Sequence, residues 1–253
     1  MFRKELDYFA WHEGFLMRVW ALIPAAGSGT RFGGGVPKQY LNLAGKTVIE
    51  HSIDRIAAVP DILGMVIVLA PGDTLFKKLC SVSLDDAKVS YAIGGNDRAS
   101  SVLNGLHSLS GLALEEDWVL VHDSVRPCVR INDIMNLISS VPDDSVGGLL
   151  GSPVTDTLKY VEQGERVTST LDRFGLWGAL TPQLFRYGRL RYAMESIDKE
   201  GFTDESSALE ALGYQPIVVM GSSDNLKITN KDDLALANEI LRAQEKEPQS
   251  ATE

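Results

Sequence analysis

Arg31 and Lys38 stand seven positions apart on either side of the glycine run Gly33-Gly34-Gly35, and a stretch of small residues, Pro24-Ala25-Ala26-Gly27-Ser28-Gly29-Thr30, leads into them. Two cations on so flexible a loop can fold over an anion, and small residues let successive backbone N–H groups approach that anion closely. The chemistry open to such a set is phosphate binding and the stabilisation of a charged phosphorus centre. Two familiar phosphate signatures fail on spacing. A dinucleotide fingerprint needs Gly where Phe32 stands, and Gly45-Lys46-Thr47 would need Gly in place of Tyr40 to be a P-loop. Taken singly, the loop reads as a tight turn and Lys38 as a solvated side chain. Taken with Arg31, they favour a clamp for a triphosphate.

The elements that must position this loop are legible as alternating runs. Residues 19–25 form an apolar, β-rich run directly before it. Similar runs at 65–70, 88–93, 118–122, 147–154 and 215–220 predict further strands, and helical spacing predicts helices over 47–57, 203–212 and 230–241, with another capped by Asn96 or Asp97 and running to Leu109. This is the pattern of βα units around a mostly parallel sheet. One segment breaks it. Residues 157–161 and 166–171 flank Glu162-Gln163-Gly164-Glu165 and predict a β-hairpin, an arm over about 155–172 that folds over the site or pairs with another subunit.

Of the 253 residues 44% are hydrophobic and 23% charged, enough apolar material for one α/β core. We read 19–242 as a single domain, residues 1–18 as an extension of unassigned role without a signal-peptide pattern, and 243–253 as a polar tail. No apolar run is long enough to span a membrane. Asp plus Glu number 34 against 24 Lys plus Arg, a net charge of −10 that argues against nucleic acid as a partner while leaving small anions open. Two cysteines, Cys80 and Cys128, without CxxC or a His-rich tract, fit a reducing cytoplasm and give no zinc or disulfide framework.

The stretch 24–40 resembles the signature of the 2-C-methyl-D-erythritol 4-phosphate cytidylyltransferases, enzymes of the non-mevalonate isoprenoid pathway. The resemblance continues in order through Gly94-Gly95-Asn96-Asp97-Arg98-Ala99-Ser100-Ser101-Val102, Val121-His122-Asp123-Ser124-Val125-Arg126-Pro127, Asp172-Arg173 before Leu176-Trp177, Leu180-Thr181-Pro182-Gln183, Thr203-Asp204-Glu205-Ser206-Ser207 and Asp224-Asn225-Leu226-Lys227-Ile228-Thr229. Ser124-Val125 departs from the two alanines more usual in the family. Nothing beyond a short tail follows the nucleotidyltransferase portion, so a fused second enzyme is not expected.

The resemblance implies a Rossmann-like nucleotidyltransferase fold and transfer of CMP from CTP to 2-C-methyl-D-erythritol 4-phosphate, with release of pyrophosphate. It implies Arg31 and Lys38 at the α-phosphorus, and Arg173 and Lys227 positioning the polyol phosphate. Ala25, Ala26, Gly27, Gly29, Gly95, Asp97 and Ser101 would form the nucleotide pocket, with Arg98 buttressing its loop. Asp123, Arg126, Thr157, Thr181 and Thr203 would meet the polyol phosphate, with Asp123 also the candidate ligand for Mg²⁺. It further implies a homodimer whose arm crosses to the partner. His122 and His107 read as structural. A ribitol 5-phosphate cytidylyltransferase and a non-catalytic nucleotide-binding protein are the rival readings; the intact Arg31, Lys38, Arg173 and Lys227 argue against the second.

Overall fold

The computed structural model describes residues 17–27, 35–81, 88–162, 164–196 and 203–247. Strand β1 (Val19–Pro24) alternates its side chains: Val19, Ala21 and Ile23 enter one core, Leu22 another. That is the two-residue period of a strand buried on both faces. After a 3-10 turn at Lys38–Tyr40 and the short strands β2 (Asn42–Leu43) and β3 (Lys46–Thr47) comes helix α1 (Val48–Ala57). Thr47 and Glu50 start it with a reciprocal capping box, a feature that contributes about 1 kcal/mol. Then follow β4 (Ile62–Leu69), α2 (Leu75–Leu79), β5 (Val89–Ile93), α3 (Arg98–Ser108), β6 (Trp118–Val121), α4 (Ile131–Ser140) and β7 (Gly147–Pro153). The hairpin β8 (Lys159–Val161) and β9 (Val167–Thr170) precedes β10 (Trp177–Arg186), α5 (Tyr187–Ser196), α6 (Glu205–Glu210), β11 (Ile217–Met220) and α7 (Lys231–Lys246).

The main sheet has the order β11-β7-β10-β6-β1-β4-β5. Six strands are mutually parallel, and β10 alone runs antiparallel, between β6 and β7. On one face α1 and α4 pack through Ile49, Ile53, Ile56, Ile134 and Leu137; on the other, α3, α5 and α6 pack through Leu106, Leu190 and Leu209. The result is the three-layered α/β architecture expected of the alternation. A third, smaller cluster gathers Val125 and Cys128 after β6, Ile228 after β11, and Ala237 and Leu241 of α7. It anchors two of the loops that carry candidate site residues.

Strands and helices read from the sequence recur within a few residues of their expected ends. The longest strand, β10, is not among them. Pro182 lies inside it and its register against β7 slips between Ala179 and Gln183, so the sequence there shows neither clean alternation nor an uninterrupted apolar run. Helices α2, α4 and α5 are likewise absent from the sequence expectation; α5 starts directly where β10 ends, with no turn residues to mark the change. The expected hairpin is present as a separate two-stranded sheet whose residues are all exposed.

Candidate active site

With six strands parallel, their carboxyl ends open on one edge of the sheet, the usual place for ligands in such folds. The candidate segments 25–27, 94–101, 122–126, 154–157 and 221–229 follow β1, β5, β6, β7 and β11 in turn. Ala25 continues the ladder of β1 by donating its N–H to the Val68 carbonyl (2.8 Å), and Gly94 does the same to Leu69 (2.7 Å). The two turns touch. A Cβ on Gly94 would lie 2.4 Å from that of Ala26, so only glycine permits the approach. Ala25, Ala26, Gly27, Gly95, Asp97 and Ser101 are thereby brought into one region.

Side chains in this region largely shape the turns. Asp97 caps α3 by accepting from the Ser100 N–H (2.7 Å). Ser101 gives its proton to the Asp97 carbonyl (2.8 Å) and accepts from the Gly95 N–H (3.1 Å). Its proton is therefore committed to the loop, and toward a nucleotide the oxygen can act only as an acceptor. Gln39 was missed from the sequence. Its buried amide donates to the carbonyls of both Ala25 (2.8 Å) and Gly27 (2.9 Å), and its place beside Lys38 was the available signal. Arg31 and Gly29 lie outside the described residues, as do Ser28 and Gly33-Gly34.

The second region is a charged cavity lined by Arg98, Asp123, Arg126, Leu180, Thr181, Gln183, Thr203, Asp204 and Lys227. At about 210 Å³ it is smaller than the roughly 300–1,000 Å³ of pockets for drug-sized ligands and suits a small phosphorylated molecule. At its floor Asp123, 6% exposed, is surrounded by cations. Lys227 Nζ lies 2.8 Å from Oδ2, Arg98 holds Oδ1 through Nε (3.2 Å) and Nη2 (3.1 Å), and Arg126 Nε approaches Oδ2 at 3.6 Å. Burial would push the Asp123 carboxyl up, but Arg98, Lys227 and Arg126 overcome it and hold the group well below the usual carboxylate range. Glu205, fully buried at the start of α6, takes the other side of Arg98 through Oε1 (2.6 Å) and Oε2 (3.0 Å). Three cations, Arg98, Arg126 and Lys227, and two carboxylates, Asp123 and Asp204, line the cavity, and Glu205 behind Arg98 is a third carboxylate, so the cluster gathers cations at one place in a chain whose net charge is −10.

Arg126 is fixed from behind, its Nη1 donating to the Asn225 carbonyl (2.8 Å), and Asn225 in turn donates to the Thr181 carbonyl (2.8 Å). Asn225 and Glu205 were not singled out from the sequence, although both lie within motifs quoted there. His122 is fully buried and pushed down to about 4, above all by burial, so its ring is neutral at pH 7. Its Nε2–H donates to the Arg126 carbonyl (3.1 Å), which leaves Nδ1 to accept from the Thr181 hydroxyl (3.1 Å). The same hydroxyl accepts from the Asp123 N–H (3.1 Å). Thr181 thus borders the cavity with its proton already committed, so toward a polyol it can act only as an acceptor. Thr203, exposed at the rim, keeps that role open.

Lys38 lies outside the cavity lining but beside it in structure. Its Nζ donates to the Ile228 carbonyl (2.8 Å), so Lys38 and Lys227 bracket one loop. Arg173 and Thr157 are not brought to the cavity within this chain. Both are exposed on the arm, where Arg173 hydrogen-bonds the Thr155 carbonyl. The arm also exposes Tyr160, Val161, Val167, Leu171 and Phe174, the last at 93%.

As a ligand for Mg²⁺, Asp123 does not fit. A divalent ion at its oxygens would face Lys227, Arg98 and Arg126 within 3.6 Å, where hard cations require a shell of oxygens. Among the described residues no three His, Cys, Asp or Glu side chains gather as a metal cage. None of the described helices is long and apolar enough to cross a membrane.

Residues 19–243 match the family of 2-C-methyl-D-erythritol 4-phosphate cytidylyltransferases. Proteins bearing that name in Hahella chejuensis and Dechloromonas aromatica are 44% and 46% identical, each over 89% of this chain and over 93% and 98% of their own lengths. Among solved structures, the Francisella tularensis cytidylyltransferase superposes with a TM-score of 0.75 at 35% identity, covering 88% of this chain and 99% of its own. A 4-diphosphocytidyl-2C-methyl-D-erythritol synthase gives 0.76 at 36% identity, over 89% and 99% of the two chains. A match over nearly the whole chain in sequence and in fold, with Asp123, Arg126, Thr181, Thr203 and Lys227 gathered around one cavity, leads to one conclusion: this chain belongs to the 2-C-methyl-D-erythritol 4-phosphate cytidylyltransferase family.

Proposed function

We propose that the cavity around Asp123 receives the phosphate of 2-C-methyl-D-erythritol 4-phosphate while CTP lies on the turns 25–27 and 94–101, and that CMP is transferred between them with release of pyrophosphate. The observation that carries this reading is the convergence of Arg98, Arg126 and Lys227 on one buried carboxylate at the carboxyl end of β6, a cluster of cations in an acidic protein. A phosphate monoester has a second pKa of about 6 and is mostly a dianion at pH 7, so its oxygen attacks without a general base. The neutral, fully hydrogen-bonded His122 is consistent with that. The barrier is the repulsion between two anions and the charge gathering on the α-phosphorus and the leaving pyrophosphate. As the new P–O bond forms, the bond to the β-phosphate oxygen breaks and pyrophosphate carries the electron pair away.

Lys227 has three N–H donors and can keep one on Asp123 while turning others to the polyol phosphate. Lys38, with Arg31, serves the α-phosphorus. Mg²⁺ belongs in this reading with the phosphates of CTP and not with Asp123. Arg173 and Thr157 reach the polyol phosphate of a second copy, a role supported by an arm that shows apolar side chains to solvent. Two free cysteines support a cytoplasmic setting. The test is a pyrophosphate-release assay crossing CTP, UTP and ATP with methylerythritol phosphate and ribitol 5-phosphate. Release confined to CTP with methylerythritol phosphate is expected; equal or faster release with ribitol 5-phosphate overturns the substrate, and no release with any pair overturns the transferase.

A further inference from the structure

We infer that Glu205 is a positioning residue for the polyol-phosphate half of the site, acting through Arg98 to leave one oxygen of Asp123 to Lys227. The inference rests on the assignment of this cavity to the polyol phosphate. Glu205 is completely buried, and both its oxygens are spent on one guanidinium, at 2.6 and 3.0 Å. The same guanidinium grips Asp123 by Oδ1 only, through Nε at 3.2 Å and Nη2 at 3.1 Å. Four of the five N–H donors of Arg98 are thus committed, so this residue holds the site together more than it binds a ligand. The far oxygen, Asp123 Oδ2, remains for Lys227 at 2.8 Å.

Glu205 decides which way that guanidinium faces. A planar fork needs two parallel acceptors for its strongest bonding. Deprived of Glu205, Arg98 has only Asp123 left as a bidentate partner and would take Oδ2 as well as Oδ1, competing with Lys227. The buried end of the brace is itself fixed: Ser206 N–H donates to Gln183 Oε1 (3.0 Å), and Gln183 Nε2 donates to Asp204 (2.8 Å). The other end is fixed because Arg98 opens α3 directly after its cap, Asp97. Since that cap is independent of the Arg98 side chain, the nucleotide turn keeps its shape when Glu205 is lost.

The experiment is steady-state kinetics of full-length Glu205→Gln and Arg98→Lys, and of the double variant, with the KM of each substrate measured separately. The expected result is a rise of about tenfold in the KM for methylerythritol phosphate in each single variant, a KM for CTP within about twofold of wild type, and a double variant no worse than the worse single one. A lysine cannot serve both carboxylates in the manner of the fork, so Arg98→Lys decides the matter should Glu205→Gln fail to fold. Unchanged KM values with a lower kcat, equal rises for both substrates, or additive losses in the double variant would overturn the positioning role. Wild-type protein that turns over neither substrate counts against the pocket assignment, whereas normal wild-type turnover with an unmoved polyol KM in the variants counts against Glu205 alone.

Discussion

The cavity around Asp123 and the arm of β8 and β9 carry residues of one candidate site, yet they are built in opposite ways. Asp123, Glu205 and Arg126 are buried and interlocked, every oxygen of the two carboxylates within 3.6 Å of a cation. A carboxylate so buried is tolerable only with partners in place, since removing one costs on the order of 3–5 kcal/mol. The arm has no such interior: β8 and β9 are exposed throughout, and among the described residues Arg173 bonds only a carbonyl of its own segment. The charged cluster of the cavity is assembled within one chain, while the arm, in the function proposed above, serves the site of a second copy. On that proposal the site is half preassembled and half dependent on association.

Variants can break or sharpen that contrast. The largest effect is expected at the loop bracketed by the two lysines. Lys38→Ala should lower kcat by about 10²–10³ with CTP affinity retained, because a contact that strengthens in the transition state is worth most there; unchanged turnover would remove Lys38 from the clamp. Next is the arm itself. Val161→Lys with Val167→Lys places charge on paired, exposed positions of the arm, outside the hydrophobic cores. Sedimentation should then show monomers whose cores stay folded, with kcat/KM down by about a hundredfold; a fully active monomer would show that the arm is dispensable. Arg173→Ala should act more narrowly, raising the KM for the polyol phosphate about tenfold, and an effect confined to CTP would contradict its role.

The smallest effect concerns pH. His122, pushed down to about 4 in the fold, stays neutral where the same residue in the unfolded chain, near 6.5, takes up a proton. Its contribution to stability is full above about pH 6.5 and is lost as the pH falls from there toward 4. Melting temperatures of wild type and His122→Gln should converge over that window, and curves that stay parallel would contradict the burial effect.

Much of this was legible in the sequence. The alternation of apolar runs, the cap at Asp97 and the turn at Gly164 are local signals, and local signals survive without tertiary knowledge. What was illegible depends on contacts between distant residues. Glu205 looks like any acidic helix start until Arg98, 107 positions away, is seen against it. Thr181 and Ser101 looked like free hydroxyls, yet His122 and Asp97 had already claimed their protons. β10 hid behind Pro182 and a slipped register. Sequence motifs named the site's members, but not which members bind and which hold the binders in place.

The claim that cavity and arm from different copies complete one site is tested most directly by mixing two crippled proteins. Lys227→Ala spoils the cavity and Arg173→Ala the arm, and each alone should be slow at polyol phosphate well below its KM. After subunit exchange in equal amounts, random pairing makes half of the dimers mixed and gives each mixed dimer one intact site, so the account predicts recovery of about a quarter of the wild-type rate. A mixture no faster than the average of its two components would contradict it.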